Sequence, residues 1–267
     1  VTNLIYQYWL GSPGIGVSAG RENMRSYADR VGAEYRFATN PTWASTLCSA
    51  PEYYNAFEPV YNDDDFGEYD KIMFVDTDVF AVDGLEDSIF DVDISHIGFC
   101  SEPHKELSHL TASSAINTKA DERHASAVKA HYGVDVHRNA AGNPHVFNSG
   151  VVVYTKEGRE FARQHWPAFQ RYIDVMRKSG LPKFYSLDQP YMHAAVAVSK
   201  MPYTLLPSGW NSYVHYDGES KTSPRAVIDT RTSDTKFVHV QLRGADDHDA
   251  AWHRTVVNQP VSEWALP

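Results

Sequence analysis

The chain has 267 residues, of which 42% are hydrophobic and 22% charged, and a formal net charge of −10 at pH 7. That length buries a full core, so it reads as one α/β unit over 1–267 rather than two small domains. The acidic balance and the lack of any basic cluster exclude a nucleic acid partner, which needs concentrated Lys and Arg, and no apolar window of roughly 18 residues marks a membrane span.

The first strand-like run is Leu4-Ile5-Tyr6, followed by the Gly-rich stretch GSPGIG at 11–16. Those glycines fit neither the Walker pattern nor the dinucleotide fingerprint, so they read as a flexible turn. Ser18 is placed to cap a helix over 19–31 whose inner face carries Met24, Tyr27, Ala28 and Val31, with Gly32 as its stop. Strands are expected at 35–37 and 72–75; in the latter, four apolar residues run together as in a strand buried on both faces. A further strand is expected at 97–99.

From 103 to 146 the chain turns polar and rich in histidine, with a helix expected over 121–131 and turn residues in NAAGNPH. Long irregular segments of this kind carry substrate contacts. Strands follow at 151–154 and 237–240, and between them lie a long helical pattern at 157–179 and a second at 187–199. Strands separated by helices imply crossover units, hence a mixed, mainly parallel sheet flanked by helices. Cys48 and Cys100 are too few for a disulfide framework and lie outside any CxxC pattern. The protein therefore reads as one of a reducing, cytoplasmic compartment, with no leader in its opening VTNLIYQYWLG.

Residues 71–80 read KIMFVDTDVF. If the extended conformation persists past Val75, alternation points Asp76 and Asp78 the same way and Thr77 the other. Two carboxylates then share one small space outside the carboxyl ends of the strands, where open α/β sheets bind ligands. Their repulsion grows as water is excluded, and a divalent cation that prefers oxygen, Mn²⁺ or Mg²⁺, relieves it. Such an ion bridges the two phosphates of a nucleotide, so an acidic protein holds a doubly anionic ligand without a basic patch. The plainer alternative is a surface turn opened by aspartate.

The segment EYDKIMFVDTDVFAVDGL resembles the D-x-D segment of GT-A fold glycosyltransferases, in particular that of glycosyltransferase family 8. FNSGVVVY at 147–154 is similar to the family's F-N-[SA]-G strand, LDQPYMHAAV at 187–196 to the start of its D-Q-x-x-[LM]-[NH] helix, and FVHV at 237–240 to the strand bearing its metal-binding histidine. These four matches keep the family's order and span about 65–245. NLIYQYW and NMRSYADRVGAEYRF resemble the usual first nucleotide-binding strand and helix, and this N-terminal wording also resembles glycosyltransferases of large algal viruses, which decorate capsid glycans.

By that resemblance Asp76 and Asp78 hold the metal, with Asp76 also reaching the ribose next to Thr77, and His239 completes the protein ligands. An imidazole at the end of an apolar strand binds Mn²⁺ through neutral nitrogen. Tyr6, Gln7 and Tyr8 hold uracil and ribose by stacking and hydrogen bonds, with core packing the alternative for whichever tyrosine faces inward. Asn148 bonds sugar hydroxyls, or is an ordinary strand-edge amide. Asp188, with Gln189 beside it, is the acid nearest the sugar's reacting carbon, or else a helix N-cap.

The chain also departs from the family. YYNAFEPVYNDDDF offers only acids where the family has a basic residue, and HVQLRGADDHDAAW replaces the closing H-x-x-G-x-x-K-P-W motif, so Arg243 stands in for the lysine on the diphosphate. The resemblance implies a nucleotide-binding half over 1–100 and an acceptor-binding half over 101–267. It further implies metal-dependent transfer of a hexose or deoxyhexose from a UDP-sugar to a hydroxyl of a glycan acceptor, with retention. One rival is a sugar-phosphate nucleotidyltransferase, which would carry a basic loop after the first strand, where WLGSPGIGVSAGR brings only a late Arg21. The other is a non-catalytic carbohydrate-binding module on the same fold, against which the intact Asp76, Asp78 and His239 speak.

Overall fold

The computed structural model describes residues 2–102, 105–107, 109, 114–216, 227–242 and 244–264. Its strands are β1 (Asn3–Trp9), β2 (Glu34–Thr39), β3 (Lys71–Val75), β4 (Val79–Ala81), β5 (Ile97–Ser101), β6 (Phe147–Thr155), β7 (Tyr203–Leu205), β8 (Ser212–Tyr216), β9 (Val227–Asp229) and β10 (Phe237–Gln241). The larger sheet has the order β2-β1-β3-β6-β5-β7 and the smaller β4-β10-β8-β9. In the larger sheet β1 runs parallel to β2 and β3, and β5 to β7, while β6 runs antiparallel to both β3 and β5. This is the mixed α/β architecture expected from the sequence, flanked by helices.

The unbroken apolar run of β3 is explained by covering on both sides. Ile72 and Phe74 enter one buried cluster with Leu4, Tyr6, Val152 and Tyr154. Met73 and Val75 enter another with Ile5, Val151 and Val153. Alternate residues of each strand thus feed two cores, as in sheets with helices on both faces. A third cluster lies between the smaller sheet and the last helix, joining Phe80, Val238 and Val240 to Val256 and Val257.

The helices are α1 (Ile15–Val31), α2 (Thr118–Tyr132), α3 (Lys156–His165), α4 (Phe169–Lys178), α5 (Asp188–Ser199) and α6 (Ala250–Asn258), with short helical turns between 51 and 66. Two sequence expectations are corrected here. Ser18 does not cap α1: the helix begins at Ile15, Gly14 is its N-cap, and the Ser18 hydroxyl donates to the Gly14 carbonyl at 2.8 Å. The glycines of GSPGIG allow that earlier start, so the last two residues of the expected flexible turn, Ile15 and Gly16, are helix. Gly32 does end the helix, in left-handed geometry with φ 67°.

The expected long helix over 157–179 is two helices. Pro167 lies between them, and Trp166 before it adopts an extended conformation with ψ 144°. A proline excludes the helical conformation from the residue that precedes it, so the periodic pattern continues across a break. The expected helix over 121–131 is α2, opened by Asn117, whose side chain accepts from the Ala120 amide, and closed by Gly133. Cys48 and Cys100 are both free, Cys100 being buried. No helix among the described residues is long and apolar enough to cross a membrane.

Candidate metal centre

Strand β3 stops at Val75, and the two aspartates lie in the turn that carries the chain from the larger sheet to the smaller one. The Val79 amide donates to the Asp76 carbonyl at 3.2 Å, and the Asp76 amide donates to the Gly150 carbonyl at 2.9 Å. The carboxylates are therefore gathered by a turn; the expected strand alternation past Val75 does not occur. Directly after the turn, β4 pairs antiparallel with β10 in a register that sets Val79 opposite His239. The Val240 amide also donates to the Asp78 carbonyl at 2.8 Å.

That ladder brings Asp76, Asp78 and His239 together, each offering one ligand atom within 4.8 Å of the others. His239 Nε2 lies 3.1 Å from Asp78 Oδ1, with His239 at 3% exposure and Asp78 at 39%. The imidazole stacks on Tyr213, ring centroids 5.4 Å apart. Two carboxylates and one imidazole nitrogen form a mostly oxygen donor set with one borderline ligand, which fits Mn²⁺ and admits Mg²⁺.

The electrostatics fit a cation as well. Burial first, and Asp78 second, push the Asp76 carboxyl up to about 8. Burial opposes ionisation of Asp78 too, but the charge and hydrogen bond of His239 outweigh it and hold that carboxyl below its ordinary range. For His239, burial disfavours the imidazolium, while Asp78, Asp76 and Glu102 together raise its affinity for a proton. A proton retained among these three groups occupies the role that a divalent ion fills with less strain between like charges.

The aspartates line a cleft with Tyr8, Trp9, Tyr53 and Asp246 that encloses, with the space at its mouth, about 830 Å³. It opens at the carboxyl ends of β1 and β3, the edge where ligands bind in open sheets. Helix α1 backs the metal turn so closely that Gly20 leaves no room for a Cβ against the Thr77 carbonyl.

The other residues singled out by sequence divide into several groups. Tyr8 and Thr77 line the cleft. Tyr6 does not: it is 1% exposed in the core and donates its hydroxyl to Glu58 Oε2 at 2.9 Å. Gln7 is fully buried; its amide donates to the Asp76 carbonyl at 3.0 Å and accepts the Tyr35 hydroxyl at 2.7 Å, so it braces the metal turn from behind. Asp188 stands in the first turn of α5, where Leu187 is the N-cap, and Asp188 Oδ2 accepts from the Ser149 hydroxyl at 3.1 Å. Burial raises its pKa, against the hydrogen bond from Ser149. Arg243 lies outside the described residues.

Asn148 is 3% exposed and richly bonded. Its amide nitrogen donates to Glu102 Oε1 and more distantly to Gln189 Oε1, and its oxygen accepts from Asn211 at 2.6 Å and from the Gly150 amide at 2.7 Å. Glu102 and Asn211 were missed by sequence reasoning. Glu102 carried a usable signal, since it follows the apolar run of β5 as Asp76 follows that of β3. Asn211 had none, because only the packing of the turn before β8 against β6 brings it near.

No protein-family model matches the chain, and no curated protein sequence matches it. Its structure is similar to that of a galactosyltransferase, LgtC, in complex with donor and acceptor sugar analogs, at 14% identity over 79% of this chain and 75% of that one, with a TM-score of 0.48. It is also similar to a glycosyltransferase involved in the glycosylation of the major capsid of PBCV-1, at 11% identity over 96% and 98% of the two chains and a TM-score of 0.48. Mouse xyloside xylosyltransferase 1 is similar at 12% identity over 80% and 88%, with a TM-score of 0.46. At scores below 0.5 these likenesses leave the functional reading to rest on the site's own geometry.

Proposed function

We propose that the protein is a metal-dependent glycosyltransferase of the GT-A type, moving a hexose or deoxyhexose from a UDP-sugar to a hydroxyl of a glycan acceptor. The observation that carries this reading is the convergence of Asp76, Asp78 and His239, with both aspartates lining a cleft that has aromatic walls. Mn²⁺ or Mg²⁺ held there would supply positive charge against the diphosphate as it leaves.

The chain's own residues then divide the remaining work. Tyr8 and Tyr53 offer ring faces to the base, and Gln7 fixes the main chain of the metal turn. Asp188, held by Ser149, presents its second carboxylate oxygen towards positive charge developing on the sugar ring. The Glu102–Asn148–Asn211 array gives that side of the site a fixed shape before substrate arrives, so little reorganisation is left for the reaction. Retention of the anomeric configuration is part of this proposal, with Gln189, bonded to the Ser149 amide, on the same wall as Asp188. We assign donor binding to the half over 1–100 and acceptor binding to 101–267, and Arg243 to the diphosphate.

The deciding experiment offers UDP-galactose, UDP-glucose and their deoxyhexose counterparts with Mn²⁺ and follows release of UDP. Turnover that stops with chelator, and that Asp78→Ala abolishes while the protein stays folded, is expected. Formation of pyrophosphate from UTP and a sugar 1-phosphate, without UDP release from any nucleotide sugar, would assign nucleotidyl transfer instead.

A further inference from the structure

Strand β10 carries a second polar side chain to the metal turn. His239 and Gln241 stand two residues apart, which puts both on one face of the strand, while Val238 and Val240 enter the third cluster from the other. The residue between them is tied to the turn itself, since the Val240 amide donates to the Asp78 carbonyl at 2.8 Å. Both side chains are thus delivered to Asp78 by one hydrogen-bonded stretch of main chain. Gln241 ends the strand half-buried, after four buried residues, so its amide stands at the accessible side of the imidazole.

The Gln241 amide nitrogen lies 3.4 Å from His239 Nε2, and Asp78 Oδ1 lies 3.1 Å from the same nitrogen. An octahedral ion with bonds of about 2.1 Å sets neighbouring donors about 3.0 Å apart. The two distances are close to two edges of that figure, meeting at the imidazole. Nitrogen and oxygen of a terminal amide have the same shape, and a half-turn about the last side-chain bond exchanges them. A cation on His239 Nε2 repels the amide N–H groups and draws in the carbonyl oxygen.

Two further observations favour a neutral oxygen donor at this place. His239 Nδ1 has no hydrogen-bond partner among the described residues, so the ring lacks the bond that commonly orients a metal-binding imidazole. Its position depends on stacking with Tyr213 and on what meets Nε2. The second observation is the count of charges: Asp76 and Asp78 together balance a divalent cation. A third carboxylate would leave the centre negative and repel a diphosphate, whereas an amide adds a donor without adding charge.

We infer that Gln241 is a fourth protein ligand of the metal centre, coordinating through its amide oxygen beside His239. The inference rests on the metal-dependent reading of the site, and its test separates the two. The full chain is titrated with Mn²⁺ alone, without nucleotide. Free Mn²⁺ is read by electron paramagnetic resonance, and the number of waters on the bound ion by the relaxation of water protons.

In Gln241→Leu the affinity should fall roughly tenfold or more, and the bound ion should carry one more water than in the parent. Gln241→Ser, too short to reach the ion, should behave alike and keeps the test alive if Gln241→Leu does not fold. Gln241→Glu, which keeps an oxygen at the same reach, should hold the parental water count and bind Mn²⁺ at least as tightly. A side chain that only supports the strand would leave the water count unchanged. Parental affinity in Gln241→Leu and Gln241→Ser, or weaker binding at the parental water count, therefore overturns the assignment while the metal centre stands. No Mn²⁺ binding by the parent, or binding that survives Asp78→Ala, would instead overturn the metal-dependent function and this ligand with it.

Discussion

His239 Nε2 stands 3.1 Å from Asp78 Oδ1 because Val79, the next residue after that aspartate, is paired with His239 in the β4–β10 ladder. The contact is thus written into strand register rather than left to side-chain mobility. In the metal-free site it raises the imidazole's affinity for a proton, and Asp76, pushed up to about 8, retains a proton at neutral pH. A cation must displace that proton.

Mn²⁺ binding should therefore release protons near pH 7, and its affinity should rise as pH approaches 8. The folded-state pKa of Asp76 lies above its unfolded value, so its stabilising contribution is full below about pH 4 and lost as pH rises through 8 in the metal-free protein. Added Mn²⁺ should raise the melting temperature more at pH 8 than at pH 6, and Asp78→Ala should remove the increment. Equal increments at both pH values would rule this coupling out.

Gly150 sits where the three site residues meet. A Cβ there would come within 2.6 Å of His239 Cε1, 2.8 Å of Asn148 Oδ1 and 2.9 Å of Asp76 Oδ2. Gly150→Ala should cost about 1–3 kcal/mol of stability by overpacking and weaken UDP binding in Mn²⁺ at least tenfold. Calorimetry and urea unfolding on the same preparation measure both; a variant with parental UDP affinity would show that the gap is not needed.

Tyr6 and Tyr8 separate a core role from a cleft role on one strand. Tyr6→Phe loses the bond to Glu58 and should cost about 1–2 kcal/mol of stability while UDP affinity is unaltered. Tyr8→Ala should lower UDP affinity about tenfold. The opposite pattern in a pair of titrations would reverse the assignment.

His124 is 3% exposed, bonded to the Tyr172 hydroxyl at 3.0 Å, and burial pushes its pKa down to about 4. Between pH 6.5 and 4 the unfolded chain binds a proton that the folded one refuses, so stability falls as pH drops through that window. This one ring contributes up to roughly 3 kcal/mol of that loss. Urea midpoints at pH 7.5, 6 and 5 should decline in order, and His124→Asn should flatten the slope whatever it does to the midpoint at pH 7.5. A slope that survives the substitution would place its origin elsewhere.

Six of the ten strands among the described residues were legible because each carries its signature locally, as IMFV is apolar on both sides since both sides are covered; β4, β7, β8 and β9, of three to five residues, were not read. The metal residues were legible for a related reason, as acids or imidazole abutting such runs. What escaped depends on distant partners. A turn at Asp76 stood in the sequence only as the alternative to an extended strand, and what decides for it is the pairing of the following residues with 237–239. Tyr6 and Tyr8 share a strand face, and only the packing of Phe66 and Glu58 against Tyr6 decides which is inside. The break at Pro167 was visible in the sequence and was overridden by a periodic pattern on both of its sides.

Strand β6 enters the sheet against the direction of its neighbour β3, so its first residues, Asn148 to Gly150, arrive at the edge where β3 delivers its last. That reversal has a consequence for synthesis. When β3 leaves the ribosome its inner edge has no partner, and it stays bare until the chain has been made through residue 155. During that interval the open edge of a mostly apolar strand is exposed to other chains, the kind of surface that chaperones guard. Slowing translation between 76 and 147 should therefore lower the soluble yield of the protein more than slowing it after 155.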